Sequence, residues 1–232
     1  SVQEGTASRS QQLAIALLRE ENPAKPDKTR QDRFLAYGKK MVEMPGNIHF
    51  VPIESCGYAK VDSEGERAAV LMRYIGSDLW QLGRYLRSNE EFAKRKTEER
   101  VQNILRAFAH RSYLNLLNGI SQRENGDLLP PNGVIEGVEI LEGSSPPLET
   151  ILTPLSTAYV RMVDYQAPEK FRTRTITSEQ RKTFLGFFHE GLEGPRQDVY
   201  CANSIWLWLL SLAQKELSAT NEGLSELMLV GN

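Results

Sequence analysis

Apolar residues recur three and four positions apart over most of this chain, a helical period. Alternation in twos is confined mainly to residues 48–74. The first helix is predicted over Ser8–Glu21, where Leu13, Ala14, Leu17 and Leu18 form one stripe. Asn22-Pro23 ends it, because a residue before proline is pushed away from helical angles. A second helix is predicted over Thr29–Glu43, with Phe34, Leu35, Met41 and Val42 in phase and Pro45-Gly46 as the stop. Residues 48–54, 57–61 and 68–74 are β-rich, and Asp62-Ser-Glu-Gly65 makes the last two a hairpin. Pro52 marks an edge strand or a bulge.

Ser77 is the expected N-cap of the next helix, which buries Leu79, Leu82, Tyr85 and Leu86. Ser88 and Glu91 then form a capping box. It opens a helix of about 30 residues, ending at Asn118-Gly119 and open to a break near Arg111-Ser112. Residues 121–131 are turn-rich. A strand is expected within 134–141, and Gly143-Ser-Ser-Pro-Pro147 is the best linker. Residues 158–165 fit strand or helix, and 170–177 read as extended and basic. A capping box at Thr177 and Gln180 starts a helix that ends near Gly191. The last long helix spans Arg196–Leu217 and is apolar on nearly every side between Ile205 and Ala213, so Trp206 and Leu209 are expected to be buried.

These elements define a helix-dominated α+β fold with about six helices and a small, mainly antiparallel sheet. The chain of 232 residues is read as one domain, 1–232, with lobes 1–120 and 150–232 joined by 121–149. Apolar content of 40 % supports a core. The longest apolar run falls short of the roughly 20 residues a membrane span needs, so no membrane partner is expected. Residues 1–12 lack the apolar centre of a signal peptide, although the sequence opens on Ser1 rather than Met. Cys56 and Cys201 suit reduced thiols in a cytoplasmic compartment. No cofactor motif or zinc spacing is present, so neither cofactor nor metal is expected.

Charge separates one part of the chain from another. The whole carries 28 Lys+Arg against 30 Asp+Glu. Residues 80–111 hold eight cations against four anions, and residues 170–182 hold five against one. Together they make a basic surface suited to a phosphate backbone. The candidate contacts are Arg84, Arg87, Lys94, Lys96, Arg100, Arg172, Arg174 and Arg181, weakly sequence-specific and equally suited to RNA or DNA. The competing expectation is that Glu90, Glu91, Glu98 and Glu99 pair with these cations along the helix. The leading function is a non-catalytic, nucleic-acid-associated or assembly subunit. The alternative is a protein-interaction module, or a secreted regulator, that docks or self-associates through Leu224, Leu227, Met228 and Trp206. An enzyme of unrecognised type is the third reading, with no catalytic residue singled out.

One stretch invites a family comparison. Asn47-Ile-His-Phe-Val-Pro-Ile-Glu-Ser-Cys-Gly-Tyr58, followed by Ala68-Ala-Val-Leu-Met-Arg-Tyr-Ile-Gly-Ser-Asp-Leu-Trp-Gln-Leu82, resembles the middle strands, hinge and following helix of a protein kinase. The resemblance implies a strand lysine, a glycine-rich loop, a His-Arg-Asp loop and an Asp-Phe-Gly motif. None of these motifs is present as written. Lys39 and Lys40, the nearest lysines, fall in a predicted helix.

Overall fold

The computed structural model describes residues 13–18, 27–43, 48–61, 65–122, 128–163, 184–187, 189, 191–192 and 194–212. The helix-dominated α+β class holds: six α-helices lie among these residues, with sheets of three and two antiparallel strands. The chain divides into two compact units, one of residues 1–45 and 52–74, the other of 46–51 and 75–232. The anticipated junction at 121–149 contributes α-helix and strand to the second unit.

The first unit is a three-stranded sheet under one helix. β1 (Leu13–Leu17), β2 (Ile53–Val61) and β3 (Gly65–Arg73) pair in the order β1-β3-β2. The expected helix at 8–21 is therefore corrected over its described part. Leu13-Ala-Ile-Ala-Leu17 fits a period of two as well as a helical stripe. The edge of β3 decides between them by pairing from Leu13↔Arg73 to Leu17↔Ala69. The hairpin of β2 and β3 forms as the turn signal predicts, with a register shift between Ile53 and Ser55 just after Pro52. Helix α1 (Lys28–Val42) starts at Asp27, whose carboxylate accepts the Arg30 amide at 3.1 Å. It lays Phe34, Tyr37, Gly38 and Met41 on β2 and β3. Gly38 permits the close approach, since a Cβ there would sit 2.9 Å from the Cβ of Cys56.

The second unit is mostly helical. α2 (Leu79–Ser88) is capped by Asp78, not Ser77: Asp78 accepts the Gln81 amide at 2.7 Å and the Gln81 side chain accepts the Asp78 amide at 3.0 Å. Ser77 is occupied elsewhere, accepting the Ile140 amide at 2.8 Å. Ser88 caps nothing, because its hydroxyl donates back to the carbonyls of Arg84 and Tyr85. Asn89 takes its place and accepts the Phe92 amide at 2.8 Å. The single 30-residue helix is thus two, α3 (Glu90–Arg95) and α4 (Glu99–Gln122). The break lies at 96–98, where Lys96 closes α3, and not at Arg111-Ser112. α4 also runs through Gly119, where a side chain would overlap Met162.

Strand β4 (Gly133–Ile135) pairs with β5 (Val160–Met162) in its own sheet and does not extend the first one. It is shorter than the 134–141 segment because Gly137 turns the chain at φ 76°. Helix α5 (Leu148–Leu155), missed in the linker-like sequence, is buried through Leu148, Ile151, Leu152 and Leu155. Helix α6 (Pro195–Leu212) packs on α4 and α2. Leu209 and Trp208 are buried as expected for this helix. Trp206 is only half-buried, stacked on Tyr113 at 5.0 Å, which corrects its expected burial. No helix among the described residues is long and apolar enough to cross a membrane.

Candidate functional site

The basic candidates are distributed over three helices. Arg84 and Arg87 are exposed on α2, Lys94 is exposed on α3, Lys96 closes α3, and Arg100 is exposed in the first turns of α4. Arg172, Arg174, Arg181, Leu224, Leu227 and Met228 lie outside the described residues. Arg100 is committed to a carboxylate: its two terminal nitrogens meet the two oxygens of Glu149 at 2.8 and 2.9 Å. Arg95 joins Glu91, Glu98 and Glu149, each within 3.0 Å. These bonds hold both guanidinium groups above their ordinary range, and Arg95 and Arg100 hold Glu98 and Glu149 below theirs. The Glu91 carboxylate also accepts the Leu148 amide at 3.2 Å, so this network ties α3 and α4 to the start of α5. The Arg87 guanidinium lies 5.9 Å from the Trp208 ring centre. Arg84, Lys94 and Lys96 meet no carboxylate among the described residues.

A second constellation, not singled out from the sequence, surrounds the β4–β5 pair. Leu128 and Leu129 are buried and anchor the chain ahead of it. Pro130, Pro131 and Asn132 form one 3-10 turn, closed by the Asn132 amide on the Leu129 carbonyl at 2.8 Å. The two prolines fix φ and stiffen the turn that presents Asn132. Gly133 follows, where a Cβ would press on Val160 and Leu79.

β5 is held from several sides. The Asn115 side chain donates to the Val160 carbonyl at 2.7 Å, and the Val160 amide donates to the Ser112 hydroxyl at 3.2 Å. His49 Nδ1 lies 2.6 Å from Asn115 Oδ1. Arg111 donates to the carbonyls of Leu155 and Ala158 just upstream. The Met162 amide donates to the His49 carbonyl at 2.8 Å, and the Val51 amide to the Met162 carbonyl at 2.9 Å. β4 is fixed in turn by Ile135 on Ser77 and by the Asp78–Val134 bridge. Burial pushes the Asp78 carboxyl up, against the pull of the Gln81 and Trp80 amides.

The last link joins the two ends of this arrangement. The Val163 amide donates to the Asn132 carbonyl at 2.8 Å. The residue after Val163 in the sequence is Asp164, and Asp127 stands five positions before Asn132; both lie outside the described residues. Asn132 thus lies just before β4, and in the sequence Asp164 follows directly on the residue bonded to it. The readable signal was the pair of short apolar runs, each bordered by Asp or Asn. It lies within segments whose composition reads as turn-rich or as either strand or helix. No protein-family model matches the chain, and no curated protein does.

Proposed function

We propose that the chain is a protein-kinase-like fold that has lost phosphoryl transfer and works by binding, as an interaction module that retains a cation and nucleotide site. Support comes first from order. Asp127-Leu-Leu-Pro-Pro-Asn132 has the spacing of the kinase catalytic loop, from its aspartate to its metal-binding asparagine. Asp164-Tyr-Gln166 stands after β5 in the place of Asp-Phe-Gly. The observation that carries the reading is the Val163–Asn132 hydrogen bond, which holds the asparagine beside the residue that leads into Asp164. An amide oxygen and a carboxylate suit a hard divalent cation, which would neutralise nucleotide phosphates there.

The loss of transfer rests on the first unit. Phosphoryl transfer requires a strand lysine paired to a glutamate of the following helix. β1 runs Leu13-Ala14-Ile15-Ala16 where the family signature is Val-Ala-Ile-Lys, so Ala16 stands in the lysine position. The helix that follows buries Gln31, Phe34, Tyr37, Gly38 and Met41, none of them acidic. Both halves of the ion pair are therefore missing. Asn125-Gly126 also replaces His-Arg ahead of Asp127. The test is release or transfer of the ATP γ-phosphate with Mg²⁺ or Mn²⁺ and a general protein acceptor. No turnover above buffer is expected. Turnover that disappears in Asp127→Asn would overturn the proposed inactivity.

A second reading keeps the nucleic-acid backbone as ligand. It is favoured by Arg84, Arg87, Lys94 and Lys96, which lack carboxylate partners among the described residues, and weakened by the engagement of Arg100. Binding to single-stranded RNA that falls steeply with salt and is lost in Arg84→Glu/Arg87→Glu would support it.

A further inference from the structure

The loop that leads into α5 carries a feature that the cation and nucleotide site does not use. Two Ser-Pro or Thr-Pro pairs occur in the sequence, Ser145-Pro146 and Thr153-Pro154. The fold gives them opposite settings. Thr153 and Pro154 lie inside α5, and the Thr153 carbonyl accepts the Ser156 hydroxyl at 2.6 Å. Residues 141–145 and 147 are exposed and belong to no helix or strand.

Local chemistry sets the shape of that loop. Gly143 turns the chain at φ 75°, and Ser144 closes the turn by donating its amide and its hydroxyl to the Leu141 carbonyl at 3.0 and 2.7 Å. Two prolines in succession then push Ser145 and Pro146 to extended angles, since each precedes a proline. Pro147 itself sits at φ −56°, ψ 141°, close to polyproline geometry. The far end of the segment is pinned. The Tyr85 hydroxyl donates to the Pro146 carbonyl at 2.7 Å, and the Glu91 carboxylate accepts the Leu148 amide at 3.2 Å. The Ser144 hydroxyl is engaged, whereas that of Ser145 meets no partner among the described residues.

We propose that Ser145 is a phosphorylation site for a separate protein kinase, one that takes proline directly after its acceptor residue. An acceptor must enter such an enzyme on an extended, accessible stretch of chain. A kinase that accepts proline there asks for no backbone N–H, because proline has none. Ser145 supplies the exposed hydroxyl, the extended backbone and the missing N–H together. In the reaction Ser145 Oγ attacks the γ-phosphorus of ATP, and its proton passes to the base aspartate of that kinase. The bond from the γ-phosphorus to the β–γ bridging oxygen breaks and ADP leaves. The product carries a charge of about −1.5 to −2 beside the Tyr85 and Glu91 anchors of α5. Thr153 does not compete, because extending it would unwind a helix buried through Leu148, Ile151, Leu152 and Leu155.

The test uses the full chain with ATP, Mg²⁺ and a proline-directed kinase of the cyclin-dependent or mitogen-activated class. Intact mass should show a single phosphate, and tandem mass spectrometry should place it on Ser145. Ser145→Ala and Pro146→Ala should each lower incorporation at least about tenfold, while Ser144→Ala and Thr153→Val should leave it within about twofold. Circular dichroism checks that each variant retains the fold. A parent chain that takes up no phosphate overturns the proposal. So does incorporation that survives Ser145→Ala, that is unaffected by Pro146→Ala, or that falls on Thr153 of the folded chain.

Discussion

Gly83 lies on the buried face of α2 against the ring of Trp208, and its replacement by alanine tests the packing of the second unit sharply. A Cβ at Gly83 would overlap Cζ2 and lie 2.6 Å from Cη2 of that ring. Ordinary carbon contacts are about 3.5–4.0 Å. The ring cannot retreat freely. Trp208 is 1 % exposed, stacked on Trp80 at 6.4 Å between centres and met edge-on by Phe187 at 6.0 Å. Overpacking of this kind costs about 1–3 kcal/mol, and the enclosure argues for the upper half of that range. Alanine returns about 1 kcal/mol in helix propensity. The net expectation is a loss of about 1–2 kcal/mol. In a Trp208→Leu background the overlap disappears and only the propensity gain remains, so Gly83→Ala should then be neutral or stabilising by up to about 1 kcal/mol. Urea denaturation followed by far-ultraviolet circular dichroism measures all four proteins. Stabilisation of the parent by Gly83→Ala, or an equal cost in both backgrounds, would refute the packing argument.

Three further outcomes follow from the same contacts. Asn115→Leu removes the side-chain donor to the Val160 carbonyl and the Asn115 contact of the His49 ring, and should cost about 1–3 kcal/mol by the same denaturation. Trp208→Ala should cost about 3–5 kcal/mol, and the half-buried Trp206→Ala clearly less, read from paired melting curves. Glu98 and Glu149 are held below the ordinary glutamate range by Arg95 and Arg100, so their stabilisation is present above about pH 4.3 and is lost as pH falls through the depressed values. Arg95→Met should flatten that acid limb. Asp78, whose carboxyl burial raises, works in the opposite direction and should be unaffected by the change.

Helices whose apolar spacing coincided with strong stops were legible: α1 and most of α6 lie where the pattern puts them. The β2–β3 hairpin was legible for the same reason, because Asp62-Ser-Glu-Gly65 separates two alternating runs. β1 was not, since five residues of Leu, Ala and Ile satisfy both periods and only the neighbouring strand decides. Caps were misassigned by one residue where two competent side chains stood together, Ser77 beside Asp78 and Ser88 beside Asn89. In each case the serine hydroxyl was spent on another backbone group. The basic helix face was visible in composition, but the engagement of Arg95 and Arg100 needed Glu149, about 50 residues away in sequence. Asn132 was readable only through its spacing from Asp127, inside a run whose composition reads as turn-rich, and its pairing with Val163 depends on a hydrogen bond beside the β4–β5 pair.

Under the proposed function, Asn132 and Asp164 would together hold one cation and a nucleotide. Titration of ATP into the chain by calorimetry, with and without Mn²⁺, tests it most directly. Saturable binding that requires the cation is predicted, and it should be weakened at least tenfold by Asn132→Ala and by Asp164→Ala, with the fold retained by circular dichroism. No binding under either condition, or cation-independent binding unchanged in both variants, would contradict it.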